Sequence, residues 1–227
     1  MHSKTGFGLI ITCFPVLLLF TACQQHSGIP KTNQVPENSR SVNIPLPDSL
    51  GSISLSIPGR YDTSFTWTHY SDCGKPCDKI KYRFQPSHLK IIKESGFYYN
   101  MEQPDAVDQF TVCHSAYFPF HDITDSFFIA RHHKNWKLEL LQDPQNRNIN
   151  SDTIEIIGER YFSIMIIDFF DEDKKLYSKK LLAATSTGGN IIEFKFELIT
   201  TQKNELVFNY LTNVKACLQT ISIQDIK

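Results

Sequence analysis

The chain has no excess of charge of either sign, with 24 acidic side chains against 23 basic ones in 227 residues. A protein that binds duplex nucleic acid needs a concentrated basic surface. The nearest candidate, Lys79 to Arg83, alternates with apolar Ile80 and Tyr82, as one edge of a strand does. The sequence therefore predicts no nucleic-acid partner.

The chain also lacks the short motifs of several enzyme classes. It contains no Gly-x-Ser-x-Gly elbow, no His-Glu-x-x-His motif and no phosphate loop. The acidic residues between Asp168 and Asp173 lack the twelve-residue pattern and central glycine of a calcium loop, and they indicate a solvated hairpin tip. We therefore predict no catalytic residue, no metal site and no cofactor, which favours a protein that is not an enzyme.

No basic stop-transfer flank follows the apolar run from Gly6 to Phe20, which ends instead at small residues before Cys23. The run has fifteen residues, too few to cross ~30 Å of hydrocarbon comfortably as a helix. Its length and its small-residue end are typical of a signal peptide. Residues 1–22 are predicted to be that signal peptide.

The stretch from Leu17 to Cys23 reads LLLFTAC and is followed by two glutamines. It resembles the lipobox of bacterial lipoproteins, in the looser form found in Bacteroidota. The resemblance implies cleavage before Cys23, diacylglycerol on its thiol and an acyl chain on its amine. Phe20 departs from the usual leucine, and Lys4 is the one basic side chain ahead of the run. The alternative is an ordinary secretory signal cut after Ala22, which would leave Cys23 a free thiol.

The segment after the lipobox is polar, nearly free of aromatic residues and contains Pro30, Pro36, Pro45 and Pro47. Such a segment buries too little apolar area to offset the entropy of ordering its backbone. Residues 23–50 are therefore predicted to be the lipidated cysteine and a flexible tether. Residues 51–227 are predicted to be a single globular domain.

Alternation of apolar and polar residues predicts strands through most of this domain. It is clearest from Ile192 to Leu198, where four apolar residues alternate with Glu193, Lys195 and Glu197. Strands are also expected at Phe110 to Tyr117 and Ser126 to Arg131, and Trp136, Leu138 and Leu140 alternate as well. The fold class is thus predicted to be α+β, with a twisted and mainly antiparallel sheet.

A helix is predicted to close the chain and to cover this sheet, with Asn204 as its N-cap and Glu205 in its first turn. Its apolar residues fall at helical spacing. They are Leu206, Tyr210, Val214, Cys217 or Leu218, and Ile221.

The order KLLAATST at 180–187, Gly-Gly-Asn, IIEFKFE at 191–197 and LQTISI at 218–223 is similar to the C-terminal hairpin and last helix of PsbP-like domains. That resemblance implies an αβα sandwich. Because such domains in bacterial lipoproteins are mostly interaction or accessory modules, it also favours binding over catalysis.

Cys73 and Cys77 flank Gly-Lys-Pro and form the sharpest motif of the mature chain. Two cysteines this close can form a disulfide, bind a metal or act as a redox dithiol. A redox site needs a helix after the motif to lower the first thiol's pKa, whereas a strand pattern follows here. A structural disulfide is therefore predicted between them.

The sequence leaves open the roles of two further cysteines and four histidines. Cys113 and Cys217 either pair or stay as buried thiols that behave as small hydrophobes. The histidines lie within twenty residues and, with Cys113 and Asp122, offer metal ligands, although their spacing matches no known tight site. They are His114, His121, His132 and His133.

The sequence favours a lipid-anchored, non-catalytic accessory or binding module of the bacterial cell envelope. The anchor at Cys23 would hold it on the periplasmic face or the outer surface of a membrane, with an envelope protein or small ligand as its partner. The alternative is an envelope protein that handles electrons or metal through Cys73 and Cys77.

Overall fold

Two antiparallel sheets and two helices make up the part of the chain that a computed structural model describes, residues 38–47, 51–94, 106–116, 125–142, 148–187 and 189–224. All of them belong to one compact unit, 33–227. In chain order the elements are β1 (Ser39–Pro45), β2 (Ser52–Pro58), β3 (Thr63–His69), β4 (Lys79–Gln85), β5 (Val107–Ser115), α1 (Asp125–Leu140), β6 (Ile149–Ile157), β7 (Arg160–Asp171), β8 (Leu176–Thr187), β9 (Asn190–Thr200), α2 (Glu205–Leu218) and β10 (Ser222–Gln224).

The larger sheet has seven strands in the order β3-β4-β5-β9-β8-β7-β6, and every neighbouring pair is antiparallel. The smaller sheet has the order β1-β2-β10 and is also antiparallel. The predicted α+β class with a mainly antiparallel sheet is therefore confirmed. Neither helix in the described part of the chain is both long and apolar enough to cross a membrane.

The two helices lie on opposite faces of the seven-stranded sheet. In β7, Phe162 and Ile164 belong to the core that contains α2 and the smaller sheet, whereas Met165 and Ile167 pack with Trp136 of α1. This follows from the strand period of two, because successive side chains point to opposite faces. The PsbP-like resemblance itself stays a prediction.

Helix α2 covers the sheet as predicted. The Asn204 side chain accepts a hydrogen bond from the backbone N–H of Val207 at 3.2 Å, so the predicted N-cap is confirmed. The buried stripe includes Tyr210, Val214 and Leu218. Val207 takes the buried place expected for Leu206, which packs at the edge of the core.

The predicted tether ends too late in the chain. Residues 39–45 form β1, which pairs along its whole length with β2, and the side chain of Ile44 is only 2% exposed. Pro45 is tolerated because β1 lies at the edge of its sheet, where a proline removes no ladder hydrogen bond. The ordered domain therefore includes residues assigned to 23–50. The predicted signal peptide and Cys23 lie outside the described residues.

The strand predicted at Ser126 to Arg131 is wrong, as is the strand pattern at Trp136 to Leu140, because α1 spans both. Ile129 is 0% and Trp136 6% exposed, and their spacing of seven residues corresponds to two helical turns. Leu138 is 56% exposed. Apolar side chains on the solvent side of α1 therefore obscured the helical period.

Candidate functional site

One half of a face of the seven-stranded sheet carries charged side chains. Helix α1 packs on β7 and β8, and on the same face the neighbouring strands β3, β4, β5 and β9 present polar residues. Strand register aligns Trp67 with Lys81, Lys81 with Cys113 and Cys113 with Glu193. We call this surface the charged face. It comprises Trp67, Lys79, Lys81, Arg83, Glu193 and Lys195.

Glu193 holds two cations, one on each carboxylate oxygen. Its Oε1 lies 3.0 Å from Lys79 Nζ and its Oε2 lies 2.7 Å from Lys195 Nζ. Burial alone would raise the pKa of Glu193, but the two ammonium groups outweigh burial and hold that pKa well below its usual range. The Lys195 ammonium also lies 5.7 Å from the ring of Trp136. Glu193 therefore stays ionised as the buried centre of an ion network whose two lysines are partly exposed.

Glu94 makes a similar arrangement with two cations of β4, Lys81 and Arg83. Its carboxylate lies 2.8 Å from Arg83 and 3.4 Å from Lys81. The guanidinium of Arg83 lies 4.9 Å and the ammonium of Lys81 5.6 Å from the ring of Trp67. Burial raises the pKa of Glu94, but the two cations outweigh it and lower that pKa. We call Lys81, Arg83 and Trp67 the carboxylate clamp.

The segment that carries Glu94, residues 89–94, has neither helix nor strand and is held through its backbone. We call it the strap. Side chains of the sheet contact the strap's carbonyl oxygens at four positions. These contacts are Gln85 Nε2 to Leu89 at 2.9 Å and Lys90 at 3.3 Å, Arg83 to Ile92 at 2.9 Å, and both Trp67 Nε1 and His69 Nδ1 to Glu94 at 2.9 Å. Apart from the Glu94 carboxylate, these contacts do not depend on the strap's sequence.

A second cluster has the composition of a hydrolase triad. His133 Nδ1 lies 2.8 Å from Ser163 Oγ, and His133 Nε2 lies 3.6 Å from Asp152. However, Ser163 is 0% exposed, and Asp152 also accepts a hydrogen bond from Lys137 at 2.6 Å. A nucleophile must contact substrate. The cluster therefore joins α1 to β6 and β7 rather than providing a reactive hydroxyl.

Cys73 and Cys77 lie at disulfide-bonding distance, with Cα atoms 5.9 Å apart, as predicted. Gly74 between them has a φ of 84°, which residues with a Cβ rarely adopt. A short 3-10 turn, Lys75–Cys77, leads directly into β4. The pair thus lacks the following α-helix that lowers the thiol pKa in dithiol enzymes.

Cys113 and Cys217 are separate buried thiols, 1% and 0% exposed. Cys113 lies beneath the charged face, whereas Cys217 belongs to the core on the other side of the sheet. Burial raises the pKa of Cys113, and it raises the pKa of Cys217 to about 12. Of the two alternatives left open by the sequence, the structure favours two unpaired thiols.

The histidines do not converge on one site. His114 lies on β5 beside Tyr82, with ring centroids 5.8 Å apart, and His132 lies on α1 beside Trp136 at 5.1 Å. Burial lowers the pKa of His114 and of His132. His121 falls outside the described residues. Within the described ranges no group of three or more His, Cys, Asp and Glu side chains is arranged to hold a metal ion.

No sequence pattern predicted a polar network that lies at the edge of the core. Arg60 donates two hydrogen bonds to Asp108, at 2.6 and 3.0 Å. The Tyr61 hydroxyl donates to the same carboxylate at 2.8 Å and lies 3.3 Å from the Tyr210 hydroxyl. Burial raises the pKa of both tyrosines. Both rings are buried, and through their hydroxyl groups and Asp108 this network links α2 to β5.

No protein-family model matches the chain, and no curated protein matches it. Among solved structures, a Bacteroides thetaiotaomicron protein is similar over 76% of this chain, with 13% identity and a TM-score of 0.35. The chain spans 45% of the length of that protein. A Pseudomonas aeruginosa protein of unknown function is similar over 82% of this chain and 98% of its own, with 11% identity and a TM-score of 0.28. At these TM-scores, neither neighbour assigns a fold or a function.

Proposed function

We propose that the chain is a non-catalytic, lipid-anchored binding or accessory module of the bacterial cell envelope. The observation that supports a binding function is the set of hydrogen bonds and ion pairs by which the charged face binds the strap. Side chains of β3 and β4 donate hydrogen bonds to the backbone carbonyls of a peptide segment, and two cations of β4 bind its carboxylate. Such a surface binds a peptide without changing it chemically.

The reactive side chains of the described residues support binding over catalysis. Ser163 is covered by protein, and the raised pKa values of Cys113 and Cys217 keep both thiols protonated at neutral pH. Cys73 and Cys77 precede a strand and not an α-helix. These features also weigh against the alternative of a redox protein that uses this pair.

Two features support the envelope location. The first is the lipobox-like stretch that ends at Cys23. The second is the disulfide-distance pair of Cys73 and Cys77, which lies in an exposed loop. Disulfides persist mainly in exported proteins because cytosolic reductants keep thiols reduced.

Membrane fractionation tests the anchor. The native chain should sediment with membranes, resist a high-salt wash and dissolve in detergent, whereas the Cys23→Ala chain should be soluble. Cys13→Ala is the matched control: it changes a cysteine of the predicted signal peptide, and the product should still sediment. If the Cys23→Ala protein stays with membranes in high salt although mass spectrometry shows that residues 1–22 have been removed, the lipid anchor is wrong.

A further inference from the structure

We infer that the carboxylate clamp of Lys81, Arg83 and Trp67 is the binding site for an extended acidic peptide, with Glu94 of the strap as its internal ligand. This inference rests on the proposed binding function and names its ligand class. The partner would supply a carboxylate to the clamp and backbone carbonyls to the neighbouring donors.

The two cations of the clamp are more deeply buried in the sheet than the Glu94 carboxylate that they bind. The side chain of Arg83 is 6% exposed and that of Lys81 18%, whereas that of Glu94 is 37% exposed. Arg83 is also oriented by a hydrogen bond from its Nε to Thr111 Oγ1 at 3.1 Å. The strap covers part of the Arg83 guanidinium, which contacts the Ile92 carbonyl and the Glu94 carboxylate. When the strap leaves, Arg83 and Lys81 become two adjacent uncovered cations, which attract another carboxylate.

The neighbouring donors specify a peptide and not an isolated anion. Gln85, Arg83 and Trp67 contact carbonyl oxygens of strap residues 89, 92 and 94. Main-chain hydrogen bonds of this kind provide affinity for an extended peptide, while pockets for particular side chains provide specificity. Here the clamp supplies the specificity, which is for an acidic residue at the position of Glu94.

The strap has few buried apolar contacts, so another peptide can replace it on the charged face. None of its residues belongs to either hydrophobic core cluster of the described chain, and the Ile91 side chain is 51% exposed. Segments with few buried apolar contacts open locally at a small fraction of the global unfolding free energy. Lys90 and Lys93 also give the strap more positive than negative charge. A more acidic peptide would therefore compete well for the charged face.

A peptide titration of the full chain tests this inference. The probe is a capped acidic peptide, HLEIIEE, which is the sequence of residues 88–94 with Glu in place of both lysines, and its control has Gln in place of the final Glu. Binding is followed by the NMR signal of the Trp67 indole N–H, which donates to the Glu94 carbonyl. The second indole, Trp136, lies on α1 and serves as the internal reference. Circular dichroism verifies that each variant is folded.

Glu94→Gln should bind the Glu peptide on the order of tenfold more tightly than the native chain, equivalent to ~1.4 kcal/mol. Glu94→Asp, which keeps the charge on a shorter side chain, should fall between them and provides a second variant if Glu94→Gln is poorly folded. Adding Lys81→Gln to Glu94→Gln should remove the gain. The Gln peptide should bind more weakly than the Glu peptide.

Equal peptide affinity in the native, Glu94→Asp and Glu94→Gln chains would overturn the inference. So would a Trp67 shift produced by acetate alone at the peptide's concentration, which would indicate a simple anion site. The titration does not depend on Cys23. A failed titration with an intact membrane anchor would therefore remove this ligand class and leave the proposed anchored module in place.

Discussion

Replacing Val214 tests whether α2 holds the core together. Its side chain is 0% exposed within the core shared by α2 and the seven-stranded sheet. Val214→Ala removes two methyl groups at ~0.8 kcal/mol each and leaves a small cavity, so we expect a loss of about 2 kcal/mol. At ~2–4 °C per kcal/mol for a domain of this size, the melting temperature should fall by roughly 4–8 °C. Val214→Asp would bury an unpaired carboxylate and should prevent stable folding.

Urea unfolding followed by circular dichroism measures the loss. Phe208→Ala is the matched control because Phe208 lies on the same helix but is 64% exposed. Although this change removes a larger side chain, it should alter the unfolding free energy by no more than ~0.5 kcal/mol. Equal effects of the two substitutions, or a larger effect at Phe208, would show that the buried stripe of α2 is misplaced.

Three further predictions concern cysteines and one buried carboxylate. The double change Cys73→Ser with Cys77→Ser should lower the unfolding free energy by at most ~2 kcal/mol in thermal melts, because the closed loop is short; an unchanged melting temperature would contradict a stabilising role. Cys113 and Cys217 should resist iodoacetamide at pH 8 until denaturant is added, as read by mass spectrometry, and rapid native labelling would contradict their burial. The folded pKa of Glu193 lies below its unfolded value of ~4.3, so its stabilising contribution is present above that pH and is lost as the pH falls. Denaturant unfolding at pH 7 and pH 3 should therefore show a smaller acid loss for Glu193→Gln, and an equal loss would refute this.

Strands and helices that bury one face and expose the other were predictable from the sequence. In β9, Phe194 and Phe196 face the core while Glu193 and Lys195 lie on the other face, so the period of two is undisturbed. Helix α2 was equally clear because its cap at Asn204 and its apolar spacing agree. In both elements, local propensity and burial point to the same structure.

Elements in which the local sequence pattern and the burial disagree were not predictable. Helix α1 carries exposed apolar side chains such as Phe127, which is 57% exposed. These side chains give the helix a sequence pattern that is typical of a strand. Strand β1 contains Pro45 and follows a polar segment, so its pairing with β2 depends on tertiary contacts that no local pattern records.

The charged face was only partly visible in the sequence. The alternation from Lys79 to Arg83 placed these cations on one side of a strand, as β4 confirms. That Glu193 reaches Lys79 depends on the strand order β4-β5-β9, which brings together residues separated by 114 positions. The role of Glu94 was hidden because the strap has no regular structure.

Hydrogen exchange of the native chain tests most directly the central claim that the charged face holds a replaceable peptide segment. NMR compares the solvent exchange of the Trp67 indole N–H, which donates to the Glu94 carbonyl of the strap, with that of the backbone N–H groups of β4, which pairs with strands on both sides. We predict protection at least ~100-fold lower at the Trp67 indole, equivalent to a local opening free energy ~2.7 kcal/mol smaller, and a further decrease in Glu94→Gln. Indole protection equal to that of β4 would show that the strap is an integral part of the fold and would contradict the account.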